Sequence, residues 1–156
     1  MNSFNKNPED FDNYQEHAKM ETFIDFNIVK PDIFLERISL LPKPLFAFLT
    51  PYNEDDYIRM QTKLFLSTDS ESGFGLNPDG QLVSVFSLKR ERGVLLVKKA
   101  REEGAGHLSC MGEKLVELYS SFGFRVIKQE EWNDKYAPNH WDYERFGKPN
   151  VYEMGL

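Results

Sequence analysis

A turn sequence between two apolar runs places the strongest constraint on the fold. Pro78-Asp79-Gly80 separates residues 73–77 from residues 81–88, and both flanking runs are rich in apolar side chains. Proline fixes one φ angle and glycine permits a positive one, which suits a tight turn between antiparallel strands. The sequence therefore predicts a β-hairpin near the middle of the chain.

Alternating helices and strands are predicted after this hairpin, because helical apolar spacing recurs between glycine stops and short apolar runs. The order hairpin, helix, strand, helix, strand indicates an α/β or α+β domain with a mixed sheet. The predicted elements are a helix over 93–103, a strand over 107–111, a helix over 113–122 and a strand over 124–129.

The first half of the chain has weaker patterns. Pro31 suits the first turn of a helix, and the prolines near residue 43 end it. The predicted elements are a loose helix over 8–19, a strand over 21–29, a helix over 31–40, a buried strand over 45–49 and a helix from about 53 to 63.

Charge is unevenly distributed along the 156 residues, which are enough for one domain. The net charge is −6, which disfavours nucleic acid as a partner. Residues 1–26 contain six acids and two bases, whereas residues 89–101 contain six bases and only Glu91 as an acid. The basic island is either a solvated helix face or a site for a small anion.

Several classes of protein are excluded by what the sequence lacks. Cys110 is the only cysteine, so neither an intrachain disulfide nor a CxxC zinc site is expected. His107 and Cys110 lie three apart in a predicted strand and therefore face opposite ways, which disfavours a Cys–His nucleophile pair. We expect no metal site, no membrane segment, and a cytoplasmic location, since residues 1–14 lack the basic start and apolar run that are typical of a signal peptide.

The basic island coincides with a strand–turn–helix junction. Arg90 and Arg92 flank the predicted start of a helix, where unpaired N–H groups favour anions, and Gly93 permits close approach of a ligand. Such a junction suits phosphate, although many proteins without a phosphate site share these features.

Two motifs make the chain resemble the GNAT (GCN5-related N-acetyltransferase) family. Residues 90–95, Arg-Glu-Arg-Gly-Val-Leu, are similar to the family's Arg/Gln-x-x-Gly-x-Gly/Ala, and residues 119–124, Tyr-Ser-Ser-Phe-Gly-Phe, match its Tyr-x-x-x-Gly-Phe. The resemblance covers about residues 73–128. It implies a mostly antiparallel central sheet flanked by helices.

The resemblance also implies a reaction, the transfer of an acetyl group from acetyl-CoA to an amine. Tyr119 would protonate the departing thiolate, and strand N–H groups would stabilise the oxyanion. The alternative for Tyr119 is a core tyrosine on the apolar stripe of its helix. By resemblance, the pyrophosphate would be lined by Arg90, Arg92, Gly93, Val94 and Leu95, and the pantetheine arm by Val85, Phe86, Ser87 and Leu88.

Two departures from the family pattern leave the activity open. Leu95 replaces the last glycine or alanine of the loop, and the helix from Gly93 to Gly104 is about one turn short. One hypothesis is an active N-acetyltransferase. A second is an inactive GNAT-like scaffold for interaction or assembly, encoded by a phage or mobile element. A third is an unrelated α/β binding module.

We divide the single domain into three parts: N-terminal elements on the acceptor side (1–72), a motif-bearing core (73–128) and an aromatic C-terminal segment (129–156). The third part lacks clean helical or strand periodicity. It is either an irregular segment that packs its rings on the sheet and closes the cleft for a small-molecule or protein amine, or a surface that binds a protein partner. Its carboxylates are candidates for attracting the amine or acting as general base, or else are simply solvated; they are Glu130, Glu131, Asp134 and Asp142.

Overall fold

The computed structural model describes residues 23–156, so the helix predicted over residues 8–19 lies outside the described residues. The elements are β1 (Phe26–Val29), α1 (Pro31–Ile38), α2 (Lys43–Phe46), α3 (Glu54–Met60), β2 (Lys63–Ser67), β3 (Ser72–Leu76), β4 (Gln81–Ser87), α4 (Gly93–Glu102), β5 (His107–Met111), α5 (Glu113–Ser120), β6 (Arg125–Glu130), a 3₁₀ turn (Asp134–Tyr136), α6 (Tyr143–Phe146) and β7 (Val151–Gly155).

Seven strands form one sheet in the order β1-β2-β3-β4-β5-β7-β6. Only β4 and β5 run parallel, and all other neighbours are antiparallel. The expected mixed, mostly antiparallel sheet flanked by helices is therefore confirmed. The hairpin predicted around Pro78-Asp79-Gly80 is the β3–β4 connection, with Gly80 at a φ of 91°.

The sheet separates two apolar clusters. Phe65 and Phe74 stack at a centroid distance of 4.7 Å on the face covered by α4 and α5. On the opposite face, Phe34 of α1 and Tyr57 of α3 pack against β2. Each such side chain contributes about 1.5–3 kcal/mol when fully buried, so both faces hold the helices firmly.

Three predictions for irregular parts of the chain were wrong. Residues 45–49 are not a strand, because Pro44 lies in the first turn of the short helix α2. The helix expected to continue to Lys63 ends at Met60, since Gln61 adopts a left-handed φ of 57°, and β2 follows directly. The C-terminal segment, expected to be irregular, ends in β7, which lies between β5 and β6.

A bulge interrupts β4. Gly73 pairs with Phe86 and Gly75 with Val83, so β4 has one more residue than β3 across this interval. Ser84 lies inside the bulge at a φ of 55°. The alternation of side chains between the two faces of the sheet is therefore broken within β4, and the strand changes direction where a functional site is expected.

Candidate functional site

β4 and β5 separate from one another soon after they meet. They pair only through Gln81 with His107 and Leu82 with Leu108. Beyond these pairs the two parallel strands diverge, and a cavity of about 360 Å³ opens between them. The β5-facing edge of β4 over residues 83–87 consequently has backbone groups that no strand among residues 23–156 pairs.

The residues predicted to contact the pantetheine arm lie at this gap with one exception. Val85, Phe86 and Ser87 line the cavity. Leu88 does not line it, and its side chain packs instead against the apolar cluster under α1 and α3.

A buried hydrogen bond supports the bulge. The Tyr57 hydroxyl lies 2.7 Å from Ser84 Oγ, and both side chains are buried. This contact holds a non-glycine residue in the left-handed region, where the backbone conformation is unfavourable for a side chain. Tyr57 therefore determines how the backbone of β4 faces the gap.

The turn after β4 leads into α4 at one end of the cavity. Gly93 begins α4, and a Cβ atom there would lie 3.0 Å from the Leu118 Cδ2 atom of α5. The glycine thus lets the two helices approach closely. The first N–H groups of α4, from Gly93 to Leu95, have no partner within the helix and are suited to an anion.

Arg92 does not present a free guanidinium to this anion site. Its side chain is 2% exposed and donates hydrogen bonds to Asp69 (2.6 Å) and Ser72 (3.0 Å). This guanidinium holds the pKa of the Asp69 carboxyl well below its usual range. Arg92 therefore fixes the turn, whereas Arg90 is exposed at its tip.

Leu95 and Val94, the two remaining loop positions, point away from the cavity. Leu95 is buried in a separate space of about 110 Å³ near Phe23 and Phe26. Val94 is 56% exposed at the surface of α4. The Leu95 side chain thus does not fill the space beside the turn, and at these two positions only the backbone would be available to a ligand there.

Tyr119 lines the cavity from α5. The residue is 5% exposed, and its ring packs edge-on against Phe124 at 5.9 Å. Within residues 23–156, no hydrogen-bond partner is present for its hydroxyl. Burial raises the pKa of the Tyr119 phenol well above its ordinary value, so the hydroxyl stays protonated at neutral pH.

A second, larger cavity of about 890 Å³ adjoins the first on the side of α2 and the loop that follows it. Val85 to Ser87 line both cavities, so the two spaces meet at the β4 bulge. Glu113, at the start of α5, lines the larger cavity. Sequence reasoning missed Glu113, because nothing in its local pattern distinguishes it from a surface helix residue.

The four carboxylates singled out in the C-terminal segment line neither cavity. Asp134 accepts hydrogen bonds from Trp132, Tyr143 and Lys148, which lower the pKa of its carboxyl, and it thereby organises the loop. Asp142 caps α6. Glu130 pairs with Lys128 at 3.1 Å, and Glu131 is exposed.

The aromatic rings of the C-terminal segment form a cluster with Phe48. Trp141 lies 4.9 Å from Phe48 and 4.8 Å from Trp132, and Phe146 lies 4.7 Å from Phe48 between ring centroids. The rings thus pack on one another and on the loop after α2. Phe146 and Tyr152 close one side of the larger cavity.

Within the described part of the chain, no three metal-binding side chains cluster together. No helix in residues 23–156 is long and apolar enough to cross a membrane.

Comparison with known proteins clarifies the fold. No protein-family model and no curated protein sequence matches the chain. Solved structures do match over most of its length. Arabidopsis thaliana NAA60 in complex with a bisubstrate analogue superposes with a TM-score of 0.58 at 12% identity, covering 86% of this chain and 97% of that one. The chain has the GNAT fold.

Two bacterial GNAT structures resemble the chain to a similar degree. The ribosomal-protein-S18-alanine N-acetyltransferase of Escherichia coli gives a TM-score of 0.55 at 14% identity, covering 86% of this chain and 93% of that one. A Bacillus subtilis acetyltransferase in complex with CoA gives 0.51 at 12% identity, with coverages of 86% and 98%. At such identities the likeness establishes the GNAT architecture alone.

Proposed function

We propose that this GNAT-fold protein is an N-acetyltransferase that uses acetyl-CoA. The observation that supports this most is the gap between β4 and β5, which ends at the N-terminus of α4 and is lined by a protonated tyrosine. A narrow cleft suits an extended thioester arm, and the first N–H groups of α4 suit its phosphates. The neighbours solved with CoA or a bisubstrate analogue support the same cosubstrate.

Bound acetyl-CoA would supply the activated acetyl group. The chain's residues would position the thioester and protonate the departing sulfur. In our proposal the unpaired N–H groups of β4 beside the Ser84 bulge face the thioester oxygen and stabilise its developing charge. Tyr119 holds a proton on its hydroxyl for the departing sulfur. Arg92 contributes by fixing the turn, and Arg90 adds positive charge at its tip.

The acceptor amine would enter through the larger cavity. That space meets the cleft at the β4 bulge, so an amine placed there approaches the acetyl group from the side opposite α4. Glu113 is the carboxylate that lines this cavity, and we propose that it takes up the amine's proton, directly or through water. The cavity accommodates either a small molecule or the end of a peptide.

Calorimetric titration of acetyl-CoA, with ADP as a reference ligand, tests the proposal. The structure suggests Val94→Glu as the test variant, because this exposed side chain lies in the first turn of α4. A carboxylate there favours the helix but repels a phosphate bound at its N-terminus, so binding should weaken by about two- to fivefold at low salt without loss of stability. Val94→Gln is the neutral control. Gly93→Glu is less suitable, since its Cβ would crowd Leu118.

Micromolar binding by the wild-type protein that weakens in Val94→Glu would support the proposal. No binding at millimolar acetyl-CoA would instead favour the inactive GNAT-like scaffold, whether or not a phage or mobile element encodes it. In that case the aromatic C-terminal segment would be the first surface to test for a protein partner.

A further inference from the structure

The larger cavity has an excess of positive charge at its rim, although the whole chain has a net charge of −6. Its lining is mostly apolar, from side chains such as Leu45, Phe48 and Phe146. The charged residues of the lining are three cations and one anion; they are Lys114, Arg145, Lys148 and Glu113.

Two of the cations have no ion-pair partner among the residues that the structure describes. Lys148 lies 3.3 Å from Asp134 in an exposed ion pair. Lys114 and Arg145 form no ion pair within the described range 23–156. The Asp142 carboxylate accepts the backbone N–H of Arg145 rather than pairing with its guanidinium. The guanidinium lies over the Phe146 ring, 4.9 Å from its centroid, which holds it beside the cavity.

This charge is separate from the anion site proposed for acetyl-CoA. The turn residues Lys89 and Gly93 line the smaller cleft and not the larger cavity. The cosubstrate's phosphates therefore do not account for Lys114 and Arg145. A negatively charged group on the molecule that occupies the larger cavity would pair with these two cations.

We propose that the acceptor is an amine on a bulky apolar skeleton that also bears a carboxylate. The apolar lining would hold the skeleton, Arg145 would bind the carboxylate with its planar fork, and Lys114 would add attraction. This inference rests on the proposed function, because it assigns the acceptor of that reaction. The carboxylate belongs either to a free amino acid or to an acidic side chain in a peptide.

Two matched acceptor series distinguish these sources. The dipeptide amides Phe-Glu-NH₂, Phe-Gln-NH₂ and Phe-Lys-NH₂ share one α-amine and differ in the charge of the second side chain. Phenylalanine and phenethylamine differ in the carboxylate beside the amine. We expect the carboxylate-bearing member of at least one series to bind roughly fivefold more tightly by calorimetry, and to have a correspondingly higher kcat/KM. This preference should shrink as salt is added.

Variants then assign the preference to the cavity. Arg145→Gln should bring the ratio between the charged and neutral acceptors close to one, and Arg145→Glu should make Phe-Lys-NH₂ the better ligand. Loss of folding cannot produce such a reversal. Arg125→Gln, on the exposed strand β6, is the matched control and should keep the wild-type ratio.

Binding and turnover separate the two proposals. Charge-selective acceptor binding without acetyl-CoA binding would support the cavity's selectivity and overturn the proposed acetyl transfer. Acetyl-CoA binding with equal affinity for all acceptors, no binding of any of them, or a ratio unchanged in Arg145→Gln would overturn this inference.

Discussion

Arg92 and Asp69 form an ion pair of 2.6 Å that joins the turn after β4 to the turn between β2 and β3. Arg92 is 2% exposed, whereas the Asp69 side chain is 32% exposed. Ser67 donates a hydrogen bond to Asp69, and Ser72 accepts one from Arg92. The turn that begins α4 is therefore fixed from the neighbouring hairpin.

Asp69→Asn should lower the free energy of unfolding by about 2–3 kcal/mol, because it removes the carboxylate charge that lies 2.6 Å from the buried Arg92 guanidinium. Urea denaturation measures this loss. The KM for acetyl-CoA should rise more than kcat falls, because the change loosens the turn at the start of α4 and leaves the residues proposed for catalysis in place. Asp79→Asn is the control, because its carboxyl is 66% exposed, and it should change stability by less than about 0.5 kcal/mol. Equal stability of the two variants would show that the ion pair contributes nothing.

The same ion pair predicts a pH dependence of stability. Arg92 depresses the pKa of Asp69 in the folded protein below the ordinary value of 3.8. A carboxyl with a lowered folded pKa stabilises above its unfolded pKa and loses that contribution as pH falls through the folded pKa. The stability difference between wild type and Asp69→Asn should thus be constant above about pH 5 and shrink below about pH 4. Denaturation curves at several pH values check this, and a difference that grows on acidification would contradict it.

Tyr119→Phe should reduce kcat by about 10²-fold or more while acetyl-CoA affinity stays the same. The hydroxyl has no hydrogen-bond partner in residues 23–156, so its removal leaves no group unpaired. The free energy of unfolding should accordingly be unchanged or slightly higher. Steady-state kinetics and denaturation together separate a proton donor from a packing residue. Unchanged kcat would remove Tyr119 from the mechanism.

Tyr57→Phe should lower both stability and kcat. The change leaves the buried Ser84 hydroxyl without its 2.7 Å partner, at a cost of about 1–3 kcal/mol. The bulge would then hold the β4 backbone less firmly. Ser84→Gly is the informative companion, because glycine adopts a φ of 55° without strain. If the bulge geometry matters for turnover, Ser84→Gly should retain more activity than Tyr57→Phe; the opposite order would contradict this role.

The elements predicted most accurately are those with strong local patterns. The strand predicted over 107–111 matches β5 (His107–Met111), and the helix predicted over 93–103 matches α4 (Gly93–Glu102) within one residue. β7 was missed because its five residues are stabilised by partners far away in sequence on both sides. β2 was missed because a left-handed Gln61, rather than glycine or proline, ends the helix before it.

The residues of the candidate site likewise divide into those that a local motif predicts and those that only the folded chain brings together. Motif similarity identified Tyr119 and Gly93, which lie at the cleft. The pairing of Arg92 with Asp69, 23 residues away, has no local pattern and becomes visible only once β2, β3 and β4 are adjacent. Glu113 and Arg145 belong to different elements, and only the folded chain places them around one cavity.

The position of β7 has a consequence for synthesis on the ribosome. β1 to β4 can assemble from consecutive segments, each pairing with the strand made just before it. β5 pairs with β4 through only two residue pairs, and β6 joins the sheet only through β7, so this end of the sheet must wait until Val151–Gly155 has emerged. The gap beside β4 is thus completed last. A nascent chain that already contains the turn at Gly93 still lacks a stable β5 on the other side of the gap, and so it lacks one wall of the proposed ligand site.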